Sequence, residues 1–305
     1  MAMTRTRWIT ALAATGALAL ALAGCGQSGT PGGEGSGEGG AAGGDTPEYT
    51  VADDFSLEES ETWKAASDRG TIRIGVKYDQ PGLANVEVGS ELPEGFDVEI
   101  AKLVAAGIGF APEDIEFIET VTPNREPFLQ QRTVDLVVAS YTINDERKQV
   151  IDFAGPYYMA GQDLLVLSDS EINGPDDLAG TTVCSADAST TAMRIETDYP
   201  EADLVTYDAY PKCINDLQAG NVDAVTTDDS ILRGYAAQYG DEMRVVGEPF
   251  SEEPYGIGMP KDEQELRTAI NEILEQARED GTWVEAFEST LGDSSGVEQP
   301  ATEDY

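Results

Sequence analysis

The chain contains no histidine, so it lacks both the side chain that most often moves protons near neutral pH and the commonest metal ligand. Basic residues are scarce too: 18 Lys and Arg face 58 Asp and Glu, a formal net charge of −40, and only six of the 18 are Lys. Such a chain is repelled by phosphate backbones and has no basic patch for an anionic bilayer, which disfavours nucleic acid and direct lipid-surface binding. A surface this acidic repels itself unless salt screens it, which points to a halophilic or salt-tolerant source. Cysteine is limited to Cys25, Cys184 and Cys213. Without His, a catalytic thiol lacks its usual basic partner and a two-cysteine metal site lacks further ligands, so no metal and no cofactor is expected.

A long apolar run is also missing. The longest candidate, Trp8 to Ala23, has 16 residues, short of the ~20 that a helix needs to cross a bilayer. Arg5 and Arg7 precede it, and Leu22, Ala23 and Gly24 lead into Cys25. Residues 1–24 therefore read as a signal peptide ending in a lipobox, with cleavage before Cys25, acylation of its thiol and anchoring to the extracellular face of the cell membrane through lipid alone. From Cys25 to Asp54 the chain is Gly-, Ser-, Glu- and Pro-rich without apolar periodicity, a disordered tether. In that oxidising compartment Cys184 and Cys213 form an even pair, for which a disulfide is expected; two buried free thiols are the alternative.

Between tether and tail, strand and helix patterns alternate. TIRIGVK from Thr71 alternates apolar and polar residues, Phe96 to Ala106 places Ile100, Leu103 and Val104 on one helical stripe, and Ile115 to Ile118 is again strand-like. The rhythm returns with strands at Leu164 to Leu167, Thr182 to Val183 and Val222 to Thr226, and a helix from Ser230 to Tyr239. A final helix carries Leu266, Ile270, Ile273, Leu274 and Ala277 on one face. This is an α/β pattern with mostly parallel sheet, in one large or two smaller bodies.

The stretch VDLVVASYTINDERKQVIDFAGPYY, from Val134 to Tyr158, concentrates chemistry at the end of a buried strand. Ser140 and Thr142 offer hydroxyls and amides, and Arg147 offers a planar fork of donors that matches a carboxylate. The same residue types also serve as caps and surface groups, and their spacing does not decide between the two.

The run TINDERKQVIDFAGPYY resembles the signature of the family 3 extracellular solute-binding proteins, which deliver polar amino acids to ABC importers. The resemblance spans Thr71 to Phe287 and is nearest to actinobacterial glutamate-binding lipoproteins. It implies a two-lobed, type II periplasmic-binding-protein fold with two hinge crossings, near Met159 to Asp163 and Pro249 to Glu253, and a ligand cleft between the lobes. Lobe 1 would comprise residues 55–160 and 251–292, lobe 2 residues 161–250, and 293–305 would be a disordered acidic tail. The protein would act as a monomer with a permease and its ATPase as partners.

Carried onto this chain, the resemblance assigns an α-carboxylate to Arg147, Ser140 and Thr142 from lobe 1, and to Ser189, Thr190 and Thr191 at a helix start in lobe 2. Ala188 stands where the family has Gly, which leaves the donors of that loop open. Asp228 matches the acid that holds the ligand ammonium, although it or Asp229 could simply cap the following helix. Asp79 matches a cleft-facing position. Gly82 replaces the aromatic that often follows three residues later, removing a platform for cationic side chains. Arg125, between two strands, is the candidate for a ligand side-chain carboxylate, which makes glutamate the expected ligand. Two other readings share the scaffold: a cyclohexadienyl dehydratase-like enzyme, and an amino-acid-sensing subunit of a signalling system.

Overall fold

The computed structural model describes residues 47–303. The expected signal peptide, Cys25 and most of the expected tether lie outside the described residues. In lobe 1 the order is α1 (Glu61–Arg69), β1 (Ile72–Val76), β2 (Asp79–Gln80), β3 (Ala84–Asn85), α2 (Phe96–Gly107), β4 (Ile115–Glu119), α3 (Arg125–Gln130), β5 (Leu136–Val137) and β6 (Asp152–Ala160). The chain then enters lobe 2 through β7 (Gln162–Leu167), β8 (Thr182–Ala186), α4 (Thr190–Asp198), β9 (Asp203–Tyr207), α5 (Tyr210–Gln218), β10 (Ala224–Asp228), α6 (Asp229–Tyr239) and β11 (Met243–Val245). It returns with β12 (Glu253–Met259), α7 (Gln264–Asp280) and α8 (Thr282–Thr290).

Each lobe has its own five-stranded sheet, ordered β4-β1-β5-β12-β6 in lobe 1 and β11-β7-β10-β8-β9 in lobe 2. The β4-β1-β5 and β10-β8-β9 stretches are parallel, and the strands next to the crossings pair antiparallel. β1 is almost wholly buried because helices cover its sheet, and α2 buries Phe96 at the centre of an aromatic group with Tyr157, Tyr158, Trp283 and Phe287. Five residues were expected to form the stripe of α7; four are buried, Asn271 joins them, and Ile273 sits at its edge. The strand expected from Val134 to Val138 is regular only over Leu136–Val137, because the chain turns towards the cleft immediately afterwards.

The chain passes between the two sheets twice. Gly161 alone separates β6 from β7, and residues 246–252 lead from β11 back to β12. These segments run so close together that a Cβ on Gly161 would lie 2.7 Å from both the Pro249 side chain and the Ser251 carbonyl oxygen. A backbone bond from Phe250 N to Gln162 O ties the crossings together, and one from Asp229 N to Gly161 O ties the first of them to the start of α6.

Cys184 on β8 and Cys213 on α5 are joined by a disulfide that is wholly buried. The chain ends are more ordered than composition suggested. Before residue 55, Tyr49 donates to the Glu99 carboxylate and Ala52 N bonds Ala106 O. After residue 292 the tail lies along α7: Gln299 is buried with its Nε2 on Leu274 O, and Glu303 N reaches Gly155 O. Tertiary partners supply that order, and acidic, aperiodic composition carries no sign of them.

Candidate functional site

A narrow, nearly filled cavity of about 10 Å³ lies between the lobes at the carboxyl ends of the central strands. Lobe 1 contributes Gln80, Thr122, Arg125, Ser140 and Thr142; lobe 2 contributes Ser189, Thr190, Thr191, Tyr210, Thr227, Asp228 and Ile231. Seven of the nine residues expected to bind ligand are thereby brought together. Asp79 and Arg147 are not part of the lining.

Arg125 begins α3, and its guanidinium lies under the cavity floor. Nε donates to Thr122 O at 3.3 Å and Nη1 to the carbonyls of Ala139 and Ser140 at 3.2 Å each, with Cζ 4.3 Å from the Tyr141 ring centroid. The residue is 4% exposed and forms no ion pair with any carboxylate among the described residues. A buried cation without an anion is costly. Lys77 adds to the same end: it is fully enclosed, Nζ donates to Thr122 Oγ1 at 2.6 Å, and burial, helped by the Arg125 charge, pushes its ammonium down to about 7.

Ser140 takes a left-handed backbone conformation, φ 45°. Asp97 at the start of α2 holds it there, accepting from Ser140 N at 2.8 Å and Oγ at 3.1 Å, while Oγ also reaches Gln80 Oε1 at 2.7 Å. Burial pushes the Asp97 carboxyl up to about 6 against those hydrogen bonds. Arg147 stands beside the cavity with its guanidinium committed: Nε pairs with Glu126, Nη1 donates to Thr142 O at 2.7 Å, and Nη2 reaches across to Ala188 O of lobe 2 at 3.3 Å.

On the lobe 2 side, Ala188 does adopt the left-handed conformation expected of the family's Gly, φ 57°. The first residues of α4 line the cavity. Ser189 is the N-cap of α4, accepting from Ala192 N at 3.0 Å, so its hydroxyl serves the helix as well as the lining. Thr190 bridges the lobes, with Oγ1 2.8 Å from Glu253 and 3.5 Å from Thr142 Oγ1.

Asp228 and Asp229 have separate tasks. Asp228 occupies the N-cap position of α6 but makes no side-chain cap bond. Oδ2 accepts from Tyr255 Oη at 2.7 Å, and the buried Oδ1 has no hydrogen-bond partner among the described residues. Burial, then the Glu253 charge, pushes this carboxyl up to about 8. Asp229 accepts from Gly161 N and pairs with Arg233, so it holds the crossing.

The sequence reading missed Gln80, Thr122, Tyr210, Thr227 and Ile231 of the lining, and Lys77 behind it. A signal existed for Lys77, since it follows the buried strand β1 directly, where parallel sheets present their ligand groups.

The bacterial extracellular solute-binding proteins, family 3, match residues 72–293. The chain belongs to this family. The glutamate-binding protein GluB of Corynebacterium glutamicum is 40% identical over 249 residues, 78% of this chain and 84% of that protein. The glutamine-binding protein GlnH of an ABC transporter of Bacillus subtilis is 35% identical over 236 residues, 76% of this chain and 85% of that protein. Among solved structures, an ancestral arginine-binding protein bound to glutamine superposes with a TM-score of 0.69 at 32% identity, over 74% of this chain and 99% of that one. No helix among the described residues is long and apolar enough to cross a membrane.

Proposed function

We propose that the protein is a lipid-anchored receptor that binds one L-amino acid, glutamate, between its lobes and delivers it to an ABC permease and its ATPase. The observation that carries this reading is the pairing, in one buried polar cavity, of an Arg without a carboxylate and an Asp with an unpartnered oxygen. An amino acid dicarboxylate answers both: its ammonium satisfies Asp228 Oδ1, and its anionic groups satisfy the cationic end.

In the proposed complex Arg147, with Ser140 and Thr142, holds the α-carboxylate, which takes over the Nη2 bond now made to Ala188 O. Ser189 to Thr191 supply hydroxyls and the positive end of α4 from the other lobe. Arg125, with Lys77 behind Thr122, takes the side-chain carboxylate. That the relatives include both a glutamate- and a glutamine-binding protein agrees with an α-amino-acid ligand and leaves the choice to this last subsite. The reaction is binding alone, with closure as a population shift driven by contacts that bridge the lobes.

Titration calorimetry of purified, ligand-stripped protein against glutamate, glutamine, aspartate and asparagine tests this. Glutamate should give the tightest binding. Heat from glutamine with none from glutamate removes both the ligand assignment and the role of Arg125. A carboxyl raised to about 8, as in Asp228, would also suit an eliminating enzyme's acid; aromatic product from prephenate or arogenate would decide for that reading.

A further inference from the structure

Asp79 departs from the expected role in an informative way. Along β2 successive side chains point to opposite sides, so Gln80 enters the cavity and Asp79 turns away from it. Its carboxylate crosses to lobe 2, where Oδ2 accepts from Tyr210 N at 3.2 Å. Tyr210 is the first residue of α5, and the N-cap position of that helix is Ala209, which has no side-chain group to offer. Lobe 1 thus supplies the cap that lobe 2 lacks, with a negative charge at the positive end of the helix.

A second contact lies beside the first. Tyr235 Oη of α6 donates to Asp79 O. One residue earlier, Gly234 sits in the middle of α6, where Gly is disfavoured relative to Ala. Its backbone angles are ordinary for a helix; what it provides is room. A Cβ at this position would lie 2.1 Å from Pro81 O, a backbone atom that cannot swing aside.

We propose that Asp79–Pro81 of lobe 1 and Tyr210, Gly234 and Tyr235 of lobe 2 form an interlobe latch, so that groups outside the cavity lining, Asp79, Pro81, Gly234 and Tyr235, set how tightly the cleft holds its ligand. Gln80 links latch to site, since it lines the cavity and bonds Ser140 Oγ while its two neighbours seat on lobe 2. The latch rests on the reading of the cleft as a ligand site that opens and closes. Affinity is scaled by the fraction of molecules able to close, so blocking the seat weakens binding without removing a ligand contact.

The experiment compares wild type with Gly234→Ala, Asp79→Ala and Tyr235→Phe, by calorimetry with glutamate and glutamine and by small-angle scattering with and without ligand. Gly234→Ala should melt without ligand no lower than wild type, because Ala suits a helix better, yet bind at least about tenfold more weakly and keep a larger radius of gyration at the same ligand concentration. Asp79→Ala should weaken binding about two- to thirtyfold, the range expected for a lost helix cap. Tyr235→Phe, the mildest change, should weaken it about two- to tenfold. Wild-type affinity and radius in Gly234→Ala overturn the latch, as does wild-type affinity in both other variants. A wild-type protein that gives no heat with any polar amino acid overturns the functional reading instead. The ligand-free radii still bear on the latch: a Gly234→Ala radius above the wild-type value supports it, and equal radii count against it.

Discussion

Tyr255 Oη lies 2.7 Å from Asp228 Oδ2, joining a lobe 1 strand to the strand end of lobe 2 that faces the cavity. The bond fixes one carboxylate oxygen and leaves the other buried and unpartnered among the described residues. Its cost to the ligand-free protein and its benefit to the complex are then opposite in sign. Asp228→Asn should raise the ligand-free melting temperature near neutral pH, because the amide, unlike the carboxyl, need not take up a proton on folding to avoid a buried charge. The same change should weaken amino acid binding by tens- to thousandsfold, since truncating one partner of a buried charged hydrogen bond costs ~2 to 5 kcal/mol. Calorimetry and a thermal melt on the same preparation check both; loss of stability together with unchanged affinity would remove the ammonium role.

The carboxyl of Asp228, pushed up to about 8, also gives a pH dependence. Its folded pKa exceeds its unfolded value, so its contribution to stability is fully present below the ordinary carboxylate range and is lost as pH rises through about 8. Binding an ammonium needs the ionised form, so below pH 8 binding releases a proton. Affinity should therefore rise with pH, by up to about tenfold per unit, and level off near 8. Lys77, pushed down to about 7, opposes this by losing its attraction for an anion over the same range. The difference between wild type and Asp228→Asn isolates the carboxyl, and equal slopes in the two would reject the assignment.

Most of the architecture was legible because buried strands and amphipathic helices carry their periods in the residues themselves, and because the Val134 to Tyr158 stretch marks the family. The separate tasks of neighbours were not. Asp228 and Asp229 are alike in sequence, and only the fold turns one carboxylate into the cavity and ties the other to Gly161 and Arg233. Asp79 and Gln80 differ by one step of a two-residue period, so an alignment that names the right segment can still pick the wrong side chain. Arg147 reads as an anion grip, yet its donors meet Glu126 and two carbonyls, a competition that no linear pattern displays. The ordered tail depends on partners on α7 and β6, distant in the chain.

Arg125 is where the choice among amino acids should lie. Arg125→Ala should weaken glutamate binding by tens- to thousandsfold, as expected for a buried charged partner, and weaken glutamine binding by much less. The ratio of the two dissociation constants is the measurement, because general damage to the cleft would reduce both alike. A fall of equal size for both ligands would reject Arg125 as the residue that chooses among amino acids.

Ala188 holds a left-handed conformation that costs a residue with a Cβ about 1 to 2 kcal/mol, against which Gly pays about 0.5 to 1 kcal/mol of extra chain entropy. Ala188→Gly should therefore be neutral to stabilising, raising the melting temperature by about 0 to 3 °C for a domain of this size. Affinity should change less than about threefold, because the Ala188 carbonyl and the α4 N-terminus keep their places. A large loss of stability would mean that the Ala188 methyl group makes packing contacts that outweigh the backbone strain.

The charge of −40 should make the fold depend on salt. At 0.01 M ionic strength charges interact over ~30 Å, across a whole lobe, whereas at 1 M the range shrinks to ~3 Å and only direct neighbours count. Repulsion among exposed carboxylates should lower the melting temperature at low salt, and added sodium chloride should raise it steeply at first and then little. Pairs whose carboxylate is buried, such as Glu253 with Arg194 and Asp135 with Arg69, are screened less than fully exposed ones, so they should contribute less to the change. Electrostatic steering works against glutamate too: its association should slow at low salt, while its dissociation, governed by the contacts inside the closed cleft, stays nearly constant. Stopped-flow binding across a salt series separates the two rates. A melting temperature that does not fall on moving from 1 M to 0.01 M salt would remove the support for a salt-adapted surface.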